Sequence, residues 1–575
     1  MYDKQPFVES GSAQECLQGW EKIAAELRSH QSSTLVIECY PGVFLDEIEG
    51  AIGTAMPEWK VLRADGALLP EETIEQRFAE LLTDDPVFGR MSQVELSEFF
   101  DPEAILHLRK EAAECARVII LGTGATLLCP KPSLLVYADM ARWELQRRQR
   151  EELIPNLGLR NFTERAALKY KRAFFLDWRV ADRTKCNLLS RLDYLLDTNN
   201  PSQPKMISGS AFRRGLEAAT KRPFRVVPFF DPGPWGGHWM ERVCDLPQDG
   251  APNHAWCFDC VPEENSLLLG FGDIRVEIPA LDLILRHPRE LLGDTVYKRF
   301  GAEFPIRFDL LDTMGGSNLS LQVHPLTAYI REQFGMSYTQ DESYYLLDAE
   351  PGATVCLGLK TGIDSAQMIT ELYRAEAGDF DFPALQYVNQ FPARKHDHFM
   401  IPAGTVHCSG KGSMVLEISA TPYIFTFKLW DWGRLGMDGA PRPTHLEHGV
   451  RNIQWDRTTE WTKACLVNHV TPMAEGRGWR EERTGLHELE FIETRRCWFT
   501  GTVPHHTNGT LHVLNLVEGD QALVESPEGA FKPFTVHYAE TFIVPACVGA
   551  YTIRPDGPSA GKKCATILAY VREQE

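Results

Sequence analysis

Four polar side chains on three short segments carry the densest metal-ligand chemistry in this sequence. In SNLSLQVHP, strand alternation puts Leu321 and Val323 on one face and Gln322 and His324 on the other, so an amide and an imidazole face one cavity. Glu342 opens a further strand in QDESYYLLDA. His407 closes FMIPAGTVHCSG, where Pro402 and Gly404 turn the chain just before it. Two imidazoles, one carboxylate and one amide oxygen suit one divalent cation, with Zn2+ preferred. A histidine met singly in a strand is more often a satisfied polar group than a ligand, so these residues alone leave the reading open.

The elements that would position them change character along the chain. Residues 14 to 215 alternate amphipathic stretches such as AQECLQGWEKIAAEL with apolar runs such as TLVIECY, ARVIILG and RAFFLDW, which predicts an α/β domain with a largely parallel sheet. After about Pro223, short β-branched and aromatic runs broken by Gly, Pro and Asp predict a mostly β body. Arg451 to Lys463 is the expected linker, followed by a second β-sandwich built from runs such as TLHVLNLVEGD. The expected division is an α/β domain at 1–220, a metal-binding sandwich at 221–455 and a C-terminal sandwich at 456–575. YADMARWELQRRQR, Tyr137 to Arg150, reads first as a solvated helix face, and the pair His505 and His506 as surface.

A chain of 575 residues exceeds one hydrophobic core, and a net charge of −20 argues against nucleic-acid or anionic-membrane partners. One local basic pocket for a sugar phosphate is still compatible with that charge. No signal-like or membrane-spanning run is present, and fourteen scattered cysteines suit a reducing, cytoplasmic setting without disulfides. Cys257 and Cys260 form a C-x-x-C pair, but no second pair completes a zinc site, so packing is expected.

Read together, PWGG at 234–237, LSLQVHP, ES with YYLLDAEPGA, and IPAGTVH followed by LEISATP resemble class I mannose-6-phosphate isomerases, in that family's order, over roughly 225 residues. The resemblance implies a cupin holding one Zn2+ on Gln322, His324, Glu342 and His407, and interconversion of mannose 6-phosphate and fructose 6-phosphate. It makes His396 and His398 part of a turn, served by Asp397, rather than ligands. Two family positions differ. The lysine of Lys-x-Glu falls on Gln340, and the arginine of Tyr-Arg-x-x-Asp falls on Lys428, while Arg434 matches the second arginine of that segment. Lys428 and Arg434 are therefore the expected catalytic cations. Loss of the lysine keeps open a sugar-binding or regulatory protein that retains the cupin. The α/β domain resembles P-loop kinases in layout only, with Asp177 to Lys185 like a strand-end Asp and basic lid. It lacks a Gly-Lys-Ser loop, so a degenerate kinase-like fold is expected, and a bifunctional chain is the alternative.

Overall fold

The computed structural model describes every residue except 248–249, 438, 440–441, 486 and 573–575. It divides into two compact units, one of Phe7–Ala219 and Glu263–His287, the other of Met1–Pro6, Thr220–Pro262 and Pro288–Glu575. Among the described residues no helix is long and apolar enough to cross a membrane.

In the first unit the runs TLVIEC, VIILG and LLVYAD are strands buried along almost their whole length, as expected where helices cover both faces of a parallel sheet. The parallel strands lie in the order Lys60–Arg63, Val118–Gly122, Thr34–Cys39, Leu134–Asp139, Tyr194–Asp197. Antiparallel Lys205–Ser208 and Cys16–Gln18 complete the sheet beyond Tyr194–Asp197. A second, three-stranded sheet joins Phe7–Gly11 in parallel to Ser266–Phe271, which pairs with Ile274–Pro279. Residues 263–287 thus pack with the α/β unit although they follow residue 220.

Three expectations are corrected here. RAFFLDW is helical, lying within the continuous run Ala166–Leu188, because its aromatics recur on several sides of a helix that is buried all round. Asp177 is therefore not at a strand end. It is buried and accepts hydrogen bonds from Asn156 Nδ2 at 2.8 Å and from the Leu157 amide at 3.2 Å. Tyr137 lies in a strand, and the following helix Arg142–Arg150 buries Arg142 and Arg148 instead of solvating them. Arg142 donates to Tyr40 Oη and Asp182, and Arg148 pairs with Glu144 and donates to the Gly42 carbonyl at 3.0 Å. Such burial is tolerable only because each guanidinium has partners.

The second unit contains two pairs of sheets. In the first pair a six-stranded sheet runs His398–Ile401, Glu342–Ala349, Ser413–Ala420, Ile306–Asp312, Trp256–Cys260, Phe229–Asp231. Its companion runs Val388–Pro392, Thr354–Leu359, His407–Ser409, Leu321–Val323, Phe427–Trp430. The second pair, from Thr471 onward, has six and four strands. The stretch expected as a linker instead carries two helices, Leu446–Asn452 and Thr459–Cys465, with Arg457 buried between them. Cys257 and Cys260 are buried in a strand, and no cysteine is in a disulfide.

At the carboxyl ends of the parallel strands, Lys185 is buried between Asp139 at 2.8 Å and Asp282 at 3.0 Å. Removing the ammonium would strand two buried carboxylates. Lys185→Met is expected to destabilise the α/β unit by about 3–5 kcal/mol, measured by chemical denaturation. A loss below about 1 kcal/mol would show that the two carboxylates do not depend on it.

Candidate metal centre

The sheet order brings the ligand-type residues together from two facing sheets. Gln322 sits in the short strand Leu321–Val323 and pairs laterally with His407 on one side and Lys428 on the other. Directly opposed residues of antiparallel strands project to the same face, so His407, Gln322 and Lys428 form one row. Glu342 comes from the other sheet, and His324 follows Val323 immediately.

One ligating atom from each of His324, Glu342 and His407 lies within 4.8 Å of the others, and all three residues are buried. His324 Nε2 stands 3.1 Å from Glu342 Oε2, and His407 Nε2 stands 2.7 Å from Glu342 Oε1. Gln322 Nε2 is 3.2 Å from His407 Nε2, and a half-turn of the amide would present Oε1 at the same place.

The backbone fixes the tautomers. His407 Nδ1 donates to the Thr405 carbonyl at 2.8 Å, and His324 Nδ1 faces the Phe425 carbonyl at 3.4 Å. Each Nε2 therefore turns a lone pair toward a carboxylate, and both His324 Nε2 and Glu342 Oε1 are buried without a hydrogen-bond partner. Electron pairs converging in a dry site repel one another unless a cation lies among them, so the donor set fits a divalent metal.

Several flanking groups were not singled out in the sequence. On the six-stranded sheet Glu342 and Tyr344 oppose Ser419 and Glu417, which in turn oppose Arg307 and Asp309, so all six share the inner face. Gln340 Nε2 bridges Glu342 Oε2 at 3.2 Å and Glu417 Oε1 at 3.4 Å. Arg307 pairs with Asp309 and reaches Glu417 at 3.3 Å. Burial, and then the charge of Glu342, push Glu417 up to about 7 against the pull of Arg307. Strand alternation alone could have grouped 307 with 309 and 417 with 419. It does not say which face is inward.

Lys428 is half-buried, and no hydrogen bond or ion pair to its ammonium occurs among the described residues; burial, and next Arg442, lower it to about 8. Arg434 has a different setting. It pairs with Asp431 and donates to Ser317 Oγ at 2.9 Å and to the Asn318 carbonyl, tying down the loop that leads into Leu321–Val323. Arg457 acts similarly on the other loop, donating to the carbonyls of Pro402 and Ala403 at 2.7 Å just ahead of His407.

The H-x-H pair lies elsewhere. His396, at φ 73°, bonds Tyr345 Oη at 2.9 Å and Glu518 at 3.1 Å, and Tyr345 projects from the opposite face of its strand to Glu342. His398 is buried, and burial followed by Arg496 lowers it to about 3.

A family model described as a domain of unknown function, DUF8485, matches residues 19–221. The mannose-6-phosphate isomerase of Streptococcus mutans is 29% identical over 236 residues, which cover 40% of this chain and 68% of that one. Mannose-6-phosphate isomerase ManA of Bacillus subtilis is 25% identical over 240 residues, covering 41% and 69%. The crystal structure of the mannose 6-phosphate isomerase from Bacillus subtilis aligns with a TM-score of 0.49 at 20% identity, covering 61% of this chain and 99% of that one. This chain thus combines a region similar to mannose-6-phosphate isomerases with a region matching a different family model.

One measurement probes the metal centre and a second the buried His398 outside it. Purified protein is expected to carry one divalent metal per chain by elemental analysis, falling to a small fraction in His324→Ala; equal content in both would remove these residues as the ligands. The second uses His398, whose pKa in the folded chain lies below its ordinary value of 6.5. The stability that neutral His398 contributes is complete above pH 6.5 and is lost as pH falls toward 3, at up to about 1.4 kcal/mol per pH unit. Between pH 7 and pH 5 the melting temperature of wild type should therefore fall more steeply than that of His398→Phe.

Proposed function

We propose that the chain is a metal-dependent aldose-ketose isomerase acting on a hexose 6-phosphate, with mannose 6-phosphate and fructose 6-phosphate as the pair. The observation that carries the reading is the buried convergence of His324, Glu342 and His407, beside Gln322, with Lys428, whose ammonium has no partner among the described residues, at the next lateral position. The names of the two relatives support mannose 6-phosphate as one member of that pair.

A divalent ion on Gln322, His324, Glu342 and His407, Zn2+ by its preference for such donors, supplies positive charge to the substrate's oxygens. The chain's own residues must do the rest. Isomerisation moves a proton between C1 and C2 of the open-chain sugar, which needs a base beside carbon. Gln340 cannot serve, because its amide neither carries charge nor takes a carbon-bound proton. Its amide instead links Glu342 to Glu417. Glu417, buried on the inner face, is the carboxyl placed to hold and return that proton at Oε1, with Arg307 fixing its orientation. Lys428 offers an ammonium to the charge that develops on oxygen or to the substrate phosphate. Arg434 is a positioning residue on this reading, since its guanidinium is committed to Asp431 and the 317–318 loop.

A coupled assay with mannose 6-phosphate and fructose 6-phosphate is the direct test, with turnover expected in metal-loaded wild type. Lys428→Met is expected to lower kcat/KM by about 100-fold or more while metal content stays unchanged. Full activity in that variant would remove Lys428 from the mechanism. Wild-type protein that binds the sugar phosphate without turning it over would instead establish the sugar-binding reading.

A further inference from the structure

The C-terminal pair of sheets is apolar at one end of its interior and charged at the other. Phe499, Leu514 and Leu568 pack inward with Val503 and Tyr551 of the opposing sheet. Followed along the strands, the same alternation turns Arg495 and Glu493 inward two and three steps from Phe499, with Arg483 directly opposite Arg495 and Glu481 opposite Cys497. His512 continues the inward face of Leu514, and His505 lies on the same side of its strand as Val503. These side chains, with Tyr570 and Arg572, line a cleft of about 1180 Å³.

Charges on the inner face of a sandwich are costly unless they are matched, and most of these are. Arg495 pairs with Glu493 at 2.6 Å and with Glu481 at 3.1 Å, and lies 5.2 Å from the centre of the Tyr570 ring. Glu493 and His512 are both more than nine-tenths buried, and His512 Nδ1 is bonded to Tyr551 Oη at 2.8 Å. Two groups are left over. Arg483 directly opposes Arg495, an unfavourable like-charged neighbour, and makes no ion pair or hydrogen bond among the described residues. His505 stacks on Tyr551 with ring centres 5.1 Å apart, and its Nε2 is buried without a hydrogen-bond partner. Arg483, Arg495 and Arg572 against Glu481 and Glu493 leave the lining with one surplus positive charge.

We propose that this cleft binds an anionic sugar: the Glu493, Arg495 and His512 group takes the hydroxyls, the Tyr570 ring packs beneath the sugar face, and Arg483 with His505 Nε2–H takes the anion. Paired carboxylate and guanidinium groups satisfy hydroxyls as acceptor and donor together, and an aromatic face suits the apolar side of a pyranose. The anion is a phosphate or a carboxylate, which the same two groups would accept. The site is separate from the metal centre and does not depend on the isomerase assignment.

Calorimetric titration of the full-length, metal-loaded chain tests this with mannose 6-phosphate, glucuronate, mannose and inorganic phosphate as probes. Wild type is expected to show a saturable site for at least one of the two anionic sugars, at least about tenfold tighter than for mannose or phosphate. The preferred probe separates phosphate from carboxylate. That site should vanish in Arg483→Met while metal content, melting temperature and any isomerase activity are kept; His505→Ala should weaken it in the same way. The proposal is overturned if wild type binds neither anionic sugar at millimolar concentration. It is equally overturned if Arg483→Met titrates as wild type, or if all binding is lost in His324→Ala and none in Arg483→Met. If the chain proves not to be an isomerase, the Arg483-dependent site would still be seen, so the two readings fail separately.

Discussion

A carboxylate held between two imidazole nitrogens, each presenting a lone pair to it, is the arrangement around which the β-rich unit is organised. Glu342 cannot lie 2.7 Å from His407 and 3.1 Å from His324 in a buried space unless positive charge is present there. The two sheets supply these residues from opposite sides, so their pairing is tied to the same electrostatic demand. The carbonyls of Thr405 and Phe425 set which nitrogen of each ring faces inward, so main-chain conformation controls the chemistry of the side chains.

Two arginines extend that control to the loops. Arg457 gathers the Pro402 and Ala403 carbonyls before His407, and Arg434 gathers the 317–318 segment before Gln322. Both strands involved are three residues long, too short to hold their register through ladder bonds alone. Charge-assisted bonds at their entrances do that work. The inner face then carries Arg307, Asp309 and Glu417 as a connected set, linked by hydrogen bonds to Glu342 through the neutral amide of Gln340.

Gln322 and His324 stood out in the sequence because alternation along one extended segment puts them on the same face, and His407 because it follows a Pro-Gly turn, which are local facts; Glu342 was placed by its position in the family pattern. What was not legible was non-local. The helix Arg142–Arg150 reads as a polar face because nothing in its own residues reveals Tyr40, Asp182 or Gly42 waiting as partners. RAFFLDW reads as a strand because an apolar run of that length fits either a buried strand or a buried helix. His505 reads as surface because its inward direction depends on pairing with Tyr551, and that pairing crosses more than forty residues of chain. The partnership of Phe7–Gly11 with Ser266–Phe271 spans more than two hundred and fifty, and no short-range pattern announces it.

That last pairing has a consequence for the order in which the protein comes into being. The α/β unit depends on a segment, Glu263–His287, that is synthesised after the chain has already begun the other unit, and this segment contains Asp282, one of the two carboxylates that neutralise Lys185. During vectorial synthesis the parallel sheet emerges early, yet its buried ammonium lacks one counter-charge, and Phe7–Gly11 lacks its neighbour, until residue 287 is clear of the ribosome. The nascent chain must hold an incomplete sheet edge open through that interval. Gene fragments cut after residue 220, where composition suggests a natural border, would leave that wait without an end.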